Sequence, residues 1–172
     1  MKRSTLGFVV GLLFLPIAFA ASLGLGAWRI DASADPPAWE GKIARYALDA
    51  SLSHGTPLSN PVSATAPELL AGLRFYRNGC AGCHGDVNGA SAWGSRGFYP
   101  RAPQFGEKPP VRSEGQMFRI VKYGIRYSGM GGWEQLASDQ QIWQTVTFLS
   151  RLRSLPPEVE AEWRNLLLSN RG

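Results

Sequence analysis

Cys80-Ala81-Gly82-Cys83-His84 is the stretch of this sequence that decides the fold. In a C-x-x-C-H pentapeptide the two cysteines can join the vinyl groups of a haem as thioethers, and the adjacent histidine can bind one face of the iron. The chain has 2 cysteines in all, so none is left for a disulfide elsewhere or for a four-thiolate zinc site. The motif therefore predicts one covalent haem c attached to Cys80 and Cys83, with His84 as the proximal iron ligand.

Three other interpretations of the pentapeptide fit the sequence less well. A thioredoxin-type redox pair belongs in a βαβ context, and the chain has few strand-like alternating runs. A zinc site would need further ligands, whereas the other histidine, His54, lies far upstream in a polar segment. A disulfide across two residues would close a loop too small to stabilise the fold much. We predict that His54 is a polar loop residue, with partner docking or haem ligation as its alternative roles.

The N-terminal segment predicts export. Basic Lys2-Arg3 precedes residues 6–28, a run of 23 residues without a charge. At about 1.5 Å per residue, such a helix is long enough for a hydrocarbon core of about 30 Å. The basic N-terminus favours the cytoplasm, so we predict a transmembrane helix in a bacterial inner membrane, with the haem domain in the periplasm and Trp28 and Arg29 at the far interface. The alternative is a signal peptide with its cleavage site at residues 18–20, which would release a soluble periplasmic protein.

The remaining length suits one small domain on a tether. The sequence predicts an anchor or signal segment at 1–30, a short helix and extended linker at 31–65, a haem domain at 66–156 and a C-terminal helical extension at 157–172. From residue 31 onward, 15 basic and 13 acidic side chains give a net charge of +2. This balance lacks the basic surplus that is typical of a nucleic-acid-binding protein.

The basic side chains are nevertheless unevenly distributed. Residues 74–126 carry nine basic side chains against three acidic ones, whereas residues 134–162 carry five acidic side chains against two arginines. A solvated mixed surface is the simpler interpretation. The alternative is a positive rim around the haem edge that steers an acidic redox partner.

Hydrophobic periodicity predicts helices at residues 39–50, 66–79 and 138–152, and the polar composition of residues 53–67 predicts an extended segment. The helix at 66–79 ends directly before the pentapeptide. The two helices at 66–79 and 138–152 each carry one apolar stripe, and the small Gly72 would let them cross closely.

An iron that shuttles electrons needs a second axial ligand, and a methionine sulfur raises the reduction potential relative to a second histidine. Met117 lies on the apolar face of a helical segment at 113–123, which predicts a position in the core. Met130 lies instead between glycines, in Tyr127-Ser128-Gly129-Met130-Gly131-Gly132-Trp133. Glycines let the backbone approach a flat cofactor. We therefore predict Met130 as the distal iron ligand, the alternative being a loop methionine that covers the haem edge.

The order of these motifs resembles that of a monohaem class I cytochrome c over residues 66–156. It runs from Gly72-x-x-x-Tyr76 through the pentapeptide to Gly129-Met130 and ends in an apolar C-terminal helix. The resemblance implies the small all-α fold of that family, in which three or four helices surround one covalent haem c. It also implies His/Met ligation of the iron and electron transfer as the activity.

The resemblance extends to single residues. The cysteines and the histidine of the pentapeptide match the haem-binding residues of the family, and Met130 matches the distal ligand. Pro103 resembles the proline whose carbonyl fixes the proximal imidazole in this family, and Pro100 is a competing candidate. The family often has proline after the distal methionine, so Gly131 at that position predicts a more flexible distal loop.

Together these features predict an electron-transfer protein rather than an enzyme. It would be a tethered carrier or a subunit of a respiratory or dehydrogenase complex, with redox proteins as partners. Phe105, Tyr127 and Trp133 are predicted to pack around the haem edge. The main alternative is a haem-based sensor of small ligands with an open or displaceable distal position. A peroxidase-like enzyme is disfavoured because the sequence offers no obvious acid/base histidine.

Overall fold

The computed structural model describes residues 2–28 and 31–165, without the side chains of residues 2–6 and 9. These residues form eight α-helices and no β-strand, with one isolated bridge between Asp86 and Gly89. The helices are α1 (Lys2–Gly24), α2 (Ala38–Ser53), α3 (Ala66–Gly79), α4 (Ala81–His84), α5 (Ala92–Arg96), α6 (Glu114–Tyr123), α7 (Asp139–Ser150) and α8 (Pro157–Arg164). The all-α prediction is confirmed, and so are the predicted helices that lead into and follow the pentapeptide.

The chain divides into two compact units, Met1–Ala34 and Asp35–Gly172. In the first unit, Trp28 turns back towards α1: its ring nitrogen donates a 2.9 Å hydrogen bond to Ser22 Oγ. Among the described residues, no helix combines the length and the apolar composition needed to cross a membrane, so they do not support the transmembrane helix predicted at residues 6–28. Arg29, predicted at the membrane interface, lies outside the described residues.

The second unit is built around the crossing of α3 and α7. Gly72 of α3 is buried at this crossing, where a Cβ would collide with the backbone carbonyl of Gln144 and lie 3.0 Å from Phe148 Cβ. The close crossing predicted at Gly72 is confirmed, because no larger side chain fits between the two backbones.

The second unit has two core clusters, and α7 contributes to both. The first core cluster consists of Leu69, Leu73, Tyr76, Phe148, Leu149, Val159 and Trp163. The second core cluster consists of Met117, Phe118, Val121, Ile142, Trp143 and Val146. Met117 is 6% exposed, so its predicted core position is confirmed.

α8 completes the first core cluster from the C-terminal side. Val159 and Trp163 are the buried residues of this helix. An ion pair of 3.2 Å between Arg77 and Glu162 also joins α8 to α3. Part of the predicted extension, residues 166–172, lies outside the described residues. The described part of this extension, α8, therefore packs as part of the helical domain.

α2 forms where the periodicity predicts a helix, but it exposes its apolar stripe. Trp39, Ile43 and Tyr46 are 52%, 60% and 76% exposed. The buried residue of this helix is Gly41, where a Cβ would lie 3.0 Å from the Tyr99 hydroxyl. The helix therefore packs through Gly41, which the spacing of its apolar side chains does not mark as a buried position.

The extended segment predicted after α2 crosses α6 and α7. Asn60 holds it in place by donating from Nδ2 to Glu114 Oε2, at 2.9 Å, and to Thr147 Oγ1, at 2.8 Å. The second carboxylate oxygen of Glu114 accepts a 2.7 Å hydrogen bond from Ser150. One amide thus ties the linker to the start of α6 and the end of α7.

Candidate functional site

The pentapeptide forms a single tight turn at the end of α3. Cys80 caps α3 by donating its N–H to the Tyr76 carbonyl, at 2.8 Å, and precedes the four-residue helix α4. Gly85 ends α4 with φ at +70°, a conformation that favours glycine. Cys80 and Cys83 are both free thiols and half-buried. Their three-residue spacing on a helical turn places both on the same side as the following histidine.

The imidazole of His84 is held from the main chain. Its Nδ1 lies 2.9 Å from the carbonyl oxygen of Pro103. A carbonyl can only accept, so Nδ1 carries the proton and Nε2 keeps its lone pair. Burial lowers the pKa of His84, although the bond to Pro103 opposes that shift. The ring is therefore the neutral tautomer that a metal ion requires, and the carbonyl partner is Pro103 rather than Pro100.

The ring of Phe105 lies against the imidazole. The two ring centroids are 4.7 Å apart with an interplanar angle of 5°, and the Phe105 N–H donates a 2.8 Å hydrogen bond to the His84 carbonyl. Phe105 also packs against the first core cluster. Phe105 therefore connects the His84 side chain to that cluster and restricts the movement of the imidazole ring.

Gln104, which no sequence pattern singled out, connects the two segments around His84. Its Nε2 donates to the carbonyls of Cys83, at 3.0 Å, and Ala102, at 2.7 Å, while its Oε1 accepts from the Ser91 N–H at 2.7 Å. These bonds hold the loop that carries Pro103 against the pentapeptide. A glutamine beside a proline carries no local signal for such a role.

The two cysteines differ in their environment. Burial raises the pKa of Cys80 to about 12, and the nearby Cys83 thiol adds to this shift. Cys80 also packs against the first core cluster. The Cys80 thiol is therefore protonated at neutral pH in this conformation.

Tyr76 supports the same turn from the core. It is fully buried, and its hydroxyl donates a 2.6 Å hydrogen bond to the Gly85 carbonyl. Burial raises the pKa of Tyr76 strongly, and Cys80 and Asp86 raise it further, so the hydroxyl keeps its proton. The carbonyl of Gly85, the residue after His84, is thus held by the uncharged hydroxyl of Tyr76.

Met130 lies on a separate loop that follows α6. Gly124 ends α6 with φ at +73°, and the Ile125 N–H then donates a 2.9 Å hydrogen bond to the Met130 carbonyl. The Met130 side chain is half-buried and packs on the edge of the second core cluster. Unlike Met117, it is not enclosed by that cluster.

The other residues discussed for the site differ in their surroundings, and Trp133 lies beside the start of the pentapeptide, where a Cβ on Gly79 would be 2.6 Å from its ring. Trp133 packs on the second core cluster and meets Phe75 edge to face, with ring centroids 5.2 Å apart. Tyr127 is 92% exposed. His54 is exposed, as expected for a polar loop residue, and its Nδ1 donates a 2.7 Å hydrogen bond to the Ala50 carbonyl at the end of α2.

Part of the excess of basic side chains at residues 74–126, for which a positive rim was the alternative to a mixed surface, is compensated locally by acidic partners. Within the described residues, four of the nine basic side chains between 74 and 126 form ion pairs: Arg77–Glu162, Arg101–Asp35, Arg112–Asp49 and Lys122–Asp139. Of the nine basic side chains, the exposed ones are Arg74, Arg96, Lys108 and Arg126. The exposed positive charge is therefore smaller than the sequence count indicates.

These groups fit a covalently bound haem. Two thiols share one helical turn, and the adjacent imidazole offers Nε2 because Nδ1 is engaged by Pro103. The thioether of Met130 supplies a soft neutral donor that the core does not enclose. Among the described residues, no group of three or more His, Cys, Asp or Glu side chains is arranged so that it could hold a metal ion.

Comparison with known proteins gives one match, over the central part of the chain. The family described as cytochrome C oxidase, cbb3-type, subunit III matches residues 67–149, just under half of the chain. Neither the curated proteins nor the solved structures provide a match. The matched region contains the pentapeptide, α6, the Met130 loop and all but one terminal residue of α3 and of α7. Residues 67–149 therefore belong to the class I c-type cytochromes, and their cofactor is a covalently bound c-type haem.

Proposed function

We propose that this chain carries one electron at a time, with His84 and Met130 as the axial ligands of the haem iron and Cys80 and Cys83 as its attachment points. When bound, the haem supplies a reversible one-electron change at its iron. The observation that carries the proposal is the bond from His84 Nδ1 to the Pro103 carbonyl, at 2.9 Å, because it leaves Nε2 available and fixes the plane of the ring.

The surrounding residues suit a carrier better than an enzyme. His84 is held by main-chain and aromatic contacts, and buried apolar side chains limit the access of water to its side of the site. A methionine ligand favours a higher reduction potential than a second histidine would. Occupation of both axial positions by side chains would also keep small molecules from the iron.

A matched pair of substitutions tests the ligation. Met130→Leu should abolish the weak methionine-to-iron absorption band at the red edge of the oxidised spectrum. Met117→Leu should retain the band, because this conservative change lies in the core. If the haem-loaded parent lacks the band and its reduced form binds carbon monoxide readily, the carrier proposal fails and a sensor of small ligands takes its place.

The attachment points have a separate test. Covalently attached haem stays with the polypeptide on a denaturing gel, where it is detected by haem staining. Cys80→Ala and Cys83→Ala should each weaken this signal, and the double variant should abolish it. A stained band from the double variant would contradict the assignment of both cysteines.

We further propose that residues 6–28 direct export, so that the haem domain lies in the periplasm. The uncharged run after two basic residues supports this proposal. Cell fractionation with intact-mass measurement tests it: retention in the membrane at full length indicates an anchor, and a shortened periplasmic chain indicates a cleaved signal. Haem-loaded protein in the cytoplasm would contradict both forms of the proposal.

The matched family also suggests the partner. We propose that the domain donates to or accepts from an oxidase-type complex, either as a bound subunit or as a tethered carrier. Purification of the tagged full chain in mild detergent separates the two forms. Oxygen-consuming activity that elutes with the chain indicates a subunit, and elution of the chain alone, still able to reduce or oxidise the complex, indicates a carrier.

A further inference from the structure

The loop that carries Met130 is closed on itself. The Ile125 N–H donates to the Met130 carbonyl at 2.9 Å, so residues 125–130 begin and end at the same place. No helix or strand includes these residues. Contacts inside the loop therefore help to fix the Met130 backbone, together with the Phe98 ring beside Gly129 and the packing of the Met130 side chain on the second core cluster.

Ser128 supplies the central contact. Its Oγ donates a 2.7 Å hydrogen bond to the Ile125 carbonyl and accepts a 3.1 Å hydrogen bond from the Met130 N–H. A hydroxyl can donate once while accepting, so one side chain uses both capacities. Since Ser128 is half-buried, water competes with these bonds less than it would at an exposed site.

The rest of the loop has features that oppose a fixed conformation. Tyr127 has φ at +59°, which is unfavourable for a side chain larger than glycine, and this side chain is 92% exposed. Gly131 has open space around it, and glycines retain more conformational freedom than other residues. The two hydrogen bonds of the Ser128 hydroxyl therefore oppose the backbone strain at Tyr127 and the conformational freedom of Gly131.

We propose that Ser128 is a positioning residue for Met130, which keeps the thioether in place as an axial ligand. The inference rests on the proposed ligation by His84 and Met130. The serine acts through the backbone of Met130 and has no role as a ligand itself. Its removal should shift the equilibrium between bound and released methionine without unfolding the domain.

The test uses the full-length, haem-loaded chain and follows the methionine-to-iron band as the pH is raised. Ser128→Ala should lower the pH midpoint at which the band disappears by about one unit, the shift that a tenfold change in the ligation equilibrium produces. Added imidazole should compete with the thioether correspondingly better in this variant. Ser128→Thr retains a hydroxyl and should resemble the parent in both measurements.

A second variant separates ligation from general stability. Ser138 caps α7, where its Oγ accepts from the Gln141 N–H at 3.3 Å. Ser138→Ala should lower the melting temperature but leave the pH midpoint and the imidazole affinity unchanged. If it moves the midpoint as far as Ser128→Ala does, the positioning role is overturned.

The remaining outcomes distinguish the two proposals. If the parent has the band and Ser128→Ala changes neither its midpoint nor the imidazole affinity, the positioning role is overturned while the ligation stands. If the parent has no band at neutral pH, the ligation itself is overturned and the role of Ser128 with it.

Discussion

The side-chain amide of Gln104 lies 3.0 Å from the carbonyl oxygen of Cys83, so the second cysteine of the pentapeptide is tied to the loop whose Pro103 carbonyl holds His84. The same side chain satisfies the Ala102 carbonyl and the Ser91 N–H. Three backbone groups from three segments therefore depend on one glutamine. Its removal leaves each of them without that partner.

Gln104→Ala should destabilise the domain. Unsatisfied polar groups of this kind cost about 1–3 kcal/mol, and a domain of this size loses roughly 4 °C in melting temperature per kcal/mol. Thermal unfolding of the haem-loaded chain, followed in the Soret region, measures the effect. Gln140→Ala is the matched control, because Gln140 is exposed in the first turn of α7. Equal melting temperatures for the two variants would show that the glutamine connection carries no stability.

Tyr76→Phe should loosen the turn that follows the pentapeptide. The change leaves the first core cluster filled but removes the donor that lies 2.6 Å from the Gly85 carbonyl. We expect a loss of about 1–2 kcal/mol in the free energy of unfolding, measured by denaturant titration. Tyr127→Phe, at a side chain that is 92% exposed, should have no measurable effect. A parent-like midpoint for Tyr76→Phe would contradict this account of the turn.

Gly72→Ala should separate α3 from α7. The added methyl group would collide with the Gln144 carbonyl, and overpacking of this kind costs about 1–3 kcal/mol. The expected result is a lower denaturant midpoint at an unchanged m-value. Arg74→Ala, on the exposed face of the same helix, is the control and should stay close to the parent. A stabilised Gly72→Ala variant would mean that helix propensity outweighs the collision.

Asn60→Ala should release the linker from the helical domain. The amide ties the segment to Glu114 and Thr147, while Arg119 holds it a second time through the Thr56 carbonyl, at 2.7 Å. Hydrogen exchange should therefore rise in residues 56–62 with little change in α3. The haem spectrum should be unaffected. Unchanged exchange in the linker would show that the arginine contact alone retains it.

The features predicted correctly from the sequence are those set by local patterns. The spacing of apolar side chains and the pair Pro67 and Glu68 predicted α3 at its observed bounds, because helix starts and stops depend on neighbouring residues. Gly72 was predicted at a helix crossing because close approach requires a small residue. The order of motifs predicted the class of cytochrome that the family comparison then showed.

Contacts between distant segments were not predictable in the same way. Gln104 bonds to Ser91 and Cys83 only because the fold brings three segments together. Ser128 had a weak signal, since a hydroxyl in a glycine-rich turn often bonds to nearby backbone. The periodicity of α2 identified an apolar stripe but could not indicate that Gly41, on another face, is the buried residue.

The contact of Tyr76 with Trp163, whose ring centroids are 5.8 Å apart, places part of the support for the haem turn beyond the stretch shared with the cytochrome family. Trp163 also meets Phe148 on α7, at 5.4 Å. A chain trimmed to the shared stretch would keep every predicted haem ligand yet expose one wall of the first core cluster to water. We therefore expect a chain that ends at residue 149 to be less stable than one that includes α8.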